Sequence, residues 1–178
     1  LIEKMQSDGW NYYDTLINVD TSANKIIILA DNDHLPPYSM RGNFLPEATS
    51  LALRNLKNEN GFFLMVEGSQ IDFACHAKDS IYLINEMNDF NNTINVVLDF
   101  AKENPNTLVI VTADHETGGL TIVDPDENYT KTNLHFSNGS HTPLLVPIFA
   151  FGPEANRFTG IMDNTDIFKK IIDLANNI

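Results

Sequence analysis

Short apolar runs alternate along the chain with longer segments in which apolar residues recur every three or four positions. Ile26–Ala30, Phe62–Val66 and Thr107–Val111 are short runs rich in β-branched and aromatic residues, bounded by polar ones, the pattern of buried strands. Pro46 suits the first turn of a helix, and Glu47 complements the helix dipole there. Ala48, Ala52 and Leu56 form its predicted buried stripe, and Asn60-Gly61 ends it. Ile84, Met87, Phe90, Ile94, Val97, Leu98 and Ala101 recur at helical spacing and predict a second helix that runs to Glu103 and stops before Pro105. Strand, helix, strand, helix and strand in that order argue for parallel βαβ units with right-handed crossovers.

The flanks are less regular. Leu1–Ser7 reads as the end of a helix, with a turn at Asp8-Gly9 and a short strand over Trp10–Tyr13. Leu120–Val123 is strand-like. Asp124–Gly139 is polar, with turn signals at Asp124-Pro125 and Asn138-Gly139, and its length predicts a hairpin or lid. Leu144–Phe151 is a further strand in which Pro147 marks an edge or bulge. The last helix is expected from Thr165 to Asn176, with Ile167, Phe168, Ile171, Ile172 and Ala175 facing inward.

Candidate chemistry sits where apolar runs stop. In parallel α/β sheets, ligands gather at the carboxyl ends of strands. Asp72 and His76 follow the run Phe62–Val66 and are four residues apart, so a helical turn puts both on one face. A carboxylate oxygen and an imidazole nitrogen so placed suit a borderline divalent ion, zinc first. Glu67 stands alone at the strand end and suits a harder ion such as magnesium. One Asp-x-x-x-His pair is more often surface than site. A second cluster changes that balance: Thr112–Gly119 follows Thr107–Val111, and adjacent Asp114 and His115 on a turn can converge on one ion. Asp31, Asp33 and His34 also follow a strand and read as loop or rim. Cys75 reads as a small buried thiol.

The 178 residues are 43% hydrophobic, enough for the core of one domain. Eleven Lys and Arg against 24 Asp and Glu give a net charge of −13, which disfavours nucleic acid and anionic membranes as partners. One cysteine excludes an internal disulfide.

The segments Val66-Glu67-Gly68-Ser69-Gln70-Ile71-Asp72-Phe73-Ala74-Cys75-His76-Ala77 and Thr112-Ala113-Asp114-His115-Glu116-Thr117-Gly118-Gly119 closely resemble the metal-binding segments of the alkaline phosphatases. The likeness extends to Ile28-Leu29-Ala30 with His34-Leu35-Pro36, to Gly139-Ser140-His141-Thr142, and to Val146-Pro147-Ile148-Phe149-Ala150-Phe151-Gly152-Pro153. The resemblance implies an α/β fold, a three-layer sandwich with a mostly parallel central sheet. It implies phosphate monoester hydrolysis with two zinc ions, one magnesium and a phosphoserine intermediate. His141 then completes a zinc set with Asp72 and His76, Asp114 and His115 belong to the second zinc, and Glu67 belongs to the magnesium. Residues 1–178 are expected as a single α/β domain, the C-terminal part of a larger catalytic domain. No match to the family's nucleophilic serine motif or phosphate-clamping arginine is present in them. The resemblance also implies a small phosphate monoester substrate and a periplasmic or secreted protein, and it allows a homodimer.

Two other classes compete: a related metal-dependent phosphomutase or sulfatase, and a non-catalytic acidic metal-binding module. One topological expectation follows from the ligand set. His141 precedes its strand whereas Glu67 and Asp114 follow theirs, so Leu144–Phe151 should run antiparallel to Phe62–Val66 and Thr107–Val111.

Overall fold

A computed structural model describes residues 1–123 and 133–176. The chain mixes helix and strand and divides into two compact units, Leu1–Ala74 with Asp79–Val97, and Cys75–Lys78 with Leu98–Ile178.

The first unit begins with helix α1 (Ile2–Ser7) and the parallel strands β1 (Asn11–Tyr13) and β2 (Ile26–Ile28), in register Tyr12 to Ile27. Helices α2 (Tyr38–Arg41), α3 (Phe44–Leu56), α4 (Gln70–Ala77) and α5 (Ser80–Glu103) follow. Pro46 lies in the first turn of α3, where its missing N–H costs no intrahelical bond. The buried stripe of α3 is Pro46, Thr49 and Leu53. The expected set of Ala48, Ala52 and Leu56 is only half-buried. α3 also ends at Leu56 rather than at Asn60. The Asn58 amide donates to the Leu56 carbonyl at 2.7 Å and the Gly61 carbonyl at 3.0 Å, which turns the chain early.

The inner face of α5 departs further from expectation. Ile84 and Met87 are 43% and 49% exposed, while Leu83, Glu86, Asp89 and Thr93 are buried. The buried acids are turned inward by one cation. Arg41 Nη2 donates to Glu86 Oε2 and to Asp89 Oδ2, both at 2.7 Å, and its Nη1 donates to the Pro36 carbonyl at 2.9 Å. Glu86 Oε1 also accepts from the Tyr38 amide at 2.6 Å. Burial pushes the Asp89 carboxyl above its ordinary range, against the pull of Arg41. Asp89 Oδ1 has no hydrogen-bond partner. Helical periodicity alone does not reveal this face, because a charged pair counts as polar whether or not it is neutralised.

Phe62–Val66 is not a strand. Phe63 and Met65 are 70% and 77% exposed, with Leu64 and Val66 half-buried between them. A strand needs a hydrogen-bonded partner, and none of the strands among the described residues pairs with this run.

The second unit carries β3 (Val109–Thr112), β4 (Glu116–Thr117), β5 (Leu120–Val123), β6 (Asn133–Phe136), β7 (His141–Thr142) and β8 (Ile148–Phe151), then a 3-10 turn at Ala155–Phe158 and helix α6 (Asn164–Ala175). β3 pairs antiparallel with β8, as expected of Thr107–Val111 and Leu144–Phe151, and β4 with β7 and β5 with β6 are antiparallel too. β6, within the stretch Asp124–Gly139, pairs with β5, which precedes that stretch, and the expected Asp124-Pro125 turn lies outside the described residues. One of the four strand pairs among the described residues is therefore parallel, where the sequence suggested a mostly parallel sheet. The run 62–66, the middle strand of the expected βαβ series, forms no ladder. Asp163 caps α6, accepting from the Thr165 amide at 2.9 Å. Ile167 and Ile171 of α6 are half-buried, whereas Phe168, Ile172 and Ala175, also expected inside, are exposed.

Replacing Arg41 by Met is expected to lower the unfolding free energy by about 3–5 kcal/mol, because it strands two buried carboxylates. Denaturant titration measures this. The sign of the pH effect follows from linkage. Asp89 has a folded pKa above its unfolded one, so the stability given by its protonated form is present below the unfolded value and lost as pH rises through the folded value. Without Arg41 the Asp89 carboxyl loses the group that pulls its pKa down, so the deficit of the variant should widen as pH rises.

Candidate metal centre

A two-residue ladder assembles the second unit's histidines. β4 and β7 pair Glu116 with Thr142 and Thr117 with His141. His115 immediately precedes β4, so the ladder brings its ring against that of His141. The two rings stack with centroids 3.6 Å apart and 23° between planes. His76, in the last turn of α4, is tilted against His141 with ring centroids 5.0 Å apart.

Two close donor pairs lie within the second unit. In the first, His76 Nε2 and His141 Nε2 are 3.2 Å apart. His76 Nδ1 lies 2.8 Å from the Gly139 carbonyl oxygen. A carbonyl only accepts, so the neutral His76 ring carries its proton on Nδ1 and presents a lone pair at Nε2. This is the outer hydrogen bond that metal-bound histidines usually make. In the second pair, His115 Nε2 and Asp114 Oδ2 are 3.2 Å apart. Thr117 Oγ1 sits 3.2 Å from His115 Nδ1, within hydrogen-bond reach, and can orient that ring as donor or acceptor.

These separations suit shared ions. Two nitrogens bound to one tetrahedral zinc at 2.0–2.1 Å each lie about 3.3 Å apart. The His76–His141 pair meets that spacing. His76, His141 and Asp114 are exposed residues.

Around the pair, Glu116 accepts from the amides of Gly119 and Leu120 and from the Thr142 hydroxyl. Desolvation raises its carboxyl, but the Thr142 hydroxyl, the two amides and neighbouring His115 outweigh it and hold the group below the usual carboxylate range. Sequence reading missed Glu116, Thr117 and the Gly139 carbonyl. The only signal available was the position of the first two beside His115.

The remaining predicted ligands belong to the first unit. Asp72 lies in the first turn of α4, one turn before His76 on the same helix, and is half-buried. The start of α4 is fixed by buried Gln70, which donates to the Leu35 carbonyl at 2.6 Å and accepts from the Tyr82 hydroxyl. Gly68 is required beside it, because a Cβ there would lie 2.9 Å from Phe90 Cδ2. Glu67 is exposed and borders a cavity of about 40 Å³ with Arg41, Leu45 and Ser69. His34 stacks on Phe73 at 4.8 Å beside Asp33, as a rim residue. Cys75 is buried, as expected. His135 is exposed on strand β6.

A family model described as "Alkaline phosphatase" matches residues 1–133. The chain is 29% identical to alkaline phosphatase 3 of Bacillus subtilis (strain 168), over 96% of its own length and 53% of that protein. It is 38% identical to the alkaline phosphatase of Escherichia coli (strain K12), over 70% of its own length and 30% of that protein. The solved structure of alkaline phosphatase from the Antarctic bacterium TAB5 matches with a TM-score of 0.89 at 40% identity, covering 98% of this chain and 54% of that one. A mutant of the TAB5 enzyme with Mg bound in its M3 site matches equally well, with a TM-score of 0.89 at 39% identity, covering 98% and 55%. The chain thus spans about half the length of the relatives it matches over nearly all of its own. With the family model covering well over half of its residues, the chain belongs to the alkaline phosphatase family.

Proposed function

We propose that the complete protein hydrolyses small phosphate monoesters at a centre of two zinc ions and one magnesium. In this reading His76 and His141 hold one zinc together with Asp72, Asp114 and His115 contribute to the second, and Glu67 serves the magnesium. The observation that carries it is the pair of matched donor separations, with His76 locked in the tautomer that offers Nε2 outward.

Charge supports the need for cations. A chain with a net charge of −13 repels a phosphate dianion, and bound divalent ions reverse that sign locally. When bound, such ions neutralise charge on the transferring and leaving oxygens. The chain's own part is to hold lone pairs in place. The Gly139 carbonyl keeps the proton of His76 away from its donor nitrogen, and Thr117 steadies His115.

The nucleophilic serine and the phosphate-clamping arginine are proposed to come from outside these 178 residues. The three arginines here have other work. Arg41 is buried against Glu86 and Asp89, Arg54 donates to Ser50, and Arg157 pairs with Asp173. The same reading makes residues 1–178 one domain's share of a three-layer α/β sandwich whose sheet is mostly parallel, in a protein that is periplasmic or secreted and able to form a homodimer. Among the described residues no helix is long and apolar enough to cross a membrane.

Two outcomes follow. By calorimetry, His141→Ala should bind zinc at least about tenfold more weakly than wild type, since even loss of an outer hydrogen bond costs that much. Equal affinity would remove His141 from the ligand set. In a chromogenic phosphomonoester assay at alkaline pH with zinc and magnesium, residues 1–178 alone should show only background turnover, and a chain extended upstream should be active. Equal activity in the two would show that a nucleophile lies within these residues.

A further inference from the structure

We propose that Glu116 is a positioning residue that sets the spacing between His115 and His141 and so ties the two donor pairs together. The inference rests on the metal-centre reading above.

The carboxylate gathers donors from two separate stretches of chain. Its Oε1 accepts from the Leu120 amide at 2.9 Å, and its Oε2 accepts from the Gly119 amide at 3.1 Å and from the Thr142 hydroxyl. The first two bonds close the turn that begins at His115. The third reaches the residue directly after His141. Thr142 Oγ1 in turn accepts from the Leu144 amide at 3.4 Å, which extends the brace along the second stretch.

The ladder places this brace on one face and the ligands on the other. Neighbouring residues of a strand point to opposite faces. Glu116 and Thr142 are cross-strand partners and share one face, and Thr117 and His141 are partners on the other. Glu116 can therefore hold both segments without standing among the donor nitrogens. The two glycines that follow make the turn possible. Gly119 has φ +57°, and a Cβ there would come 2.0 Å from Ser137 Oγ. The backbone thus folds back so that two successive amides face the carboxylate.

No other side chain performs this task unaided. Gln would turn an NH₂ group toward one of three donors, and Ala would leave all three without an acceptor. A role confined to closing the turn would affect stability alone. A role in spacing the ligands must also change the ion's coordination.

The test uses the full-length protein with Glu116→Gln and Glu116→Ala. Zinc affinity is read by calorimetry, the visible d–d absorption of the cobalt-substituted protein reports ligand geometry, and thermal unfolding of the metal-free protein reports stability. Both variants should bind zinc about 10–100-fold more weakly, as for other outer partners of metal ligands. The cobalt bands should shift or lose intensity. Thr142→Val removes one donor from the brace while keeping its volume, and should move both readouts the same way by less, even if the Glu116 variants fail to fold. Unchanged zinc affinity and cobalt spectrum in the folded variants, whatever their stability, would overturn the proposal. Wild-type protein that binds neither metal would overturn the metal-centre reading and this inference with it, and the wild-type control distinguishes that outcome.

Discussion

His76 Nε2 and His141 Nε2 stand 3.2 Å apart, and the rest of the site is organised around that separation. With its Nδ1 proton given to the Gly139 carbonyl, His76 points a lone pair at its neighbour. Two imidazole nitrogens this close need a proton or a cation between them. The fold nevertheless holds them there from three directions: α4 carries His76, the turn before β4 carries His115, and β7 carries His141. A pair of imidazoles placed this way, with Asp114 and His115 at the same separation beside them, is arranged for cations.

Precision at the second unit's centre depends on very few contacts. β4 and β7 contribute only two residue pairs, so side-chain bonds from Glu116 and Thr117 supply the constraint that a longer ladder would give through its backbone. The first unit spends comparable effort on the segments leading to α4. Arg41 ties the loop at Pro36 and Tyr38 to α5 through Glu86 and Asp89, and Gln70 ties the start of α4 to Leu35 and Tyr82. Buried charge of this kind adds little net stability. Its value here lies in fixing where loops sit.

Much of this was legible in the sequence, and what was not has identifiable causes. The positions of β2, β3, α5 and α6 followed from apolar runs and helical spacing, although the inner faces read for α5 and α6 held only in part. The run at Phe62–Val66 reads as a strand by composition, yet it has no ladder partner among the described strands. Composition cannot report whether a partner exists. Periodicity places Ile84 and Met87 inside and does not mark Glu86 and Asp89, because it does not show that Arg41, 45 residues before Glu86 in the chain, neutralises them. The candidate ligands Asp114, His115 and His76 stood out through their places after apolar runs. Their partners Gly139, Thr117 and Glu116 did not. Backbone carbonyls leave no mark in a sequence, and a Glu or Thr that accepts or donates locally looks like any other surface residue.

The most direct test is anomalous diffraction at the zinc edge from crystals of the zinc-loaded protein. The account predicts one peak within about 2.0–2.1 Å of the Nε2 atoms of both His76 and His141, and a second at bonding distance from Asp114 and His115. His76 and His141 hydrogen-bonded directly to each other, with zinc density elsewhere, would contradict it.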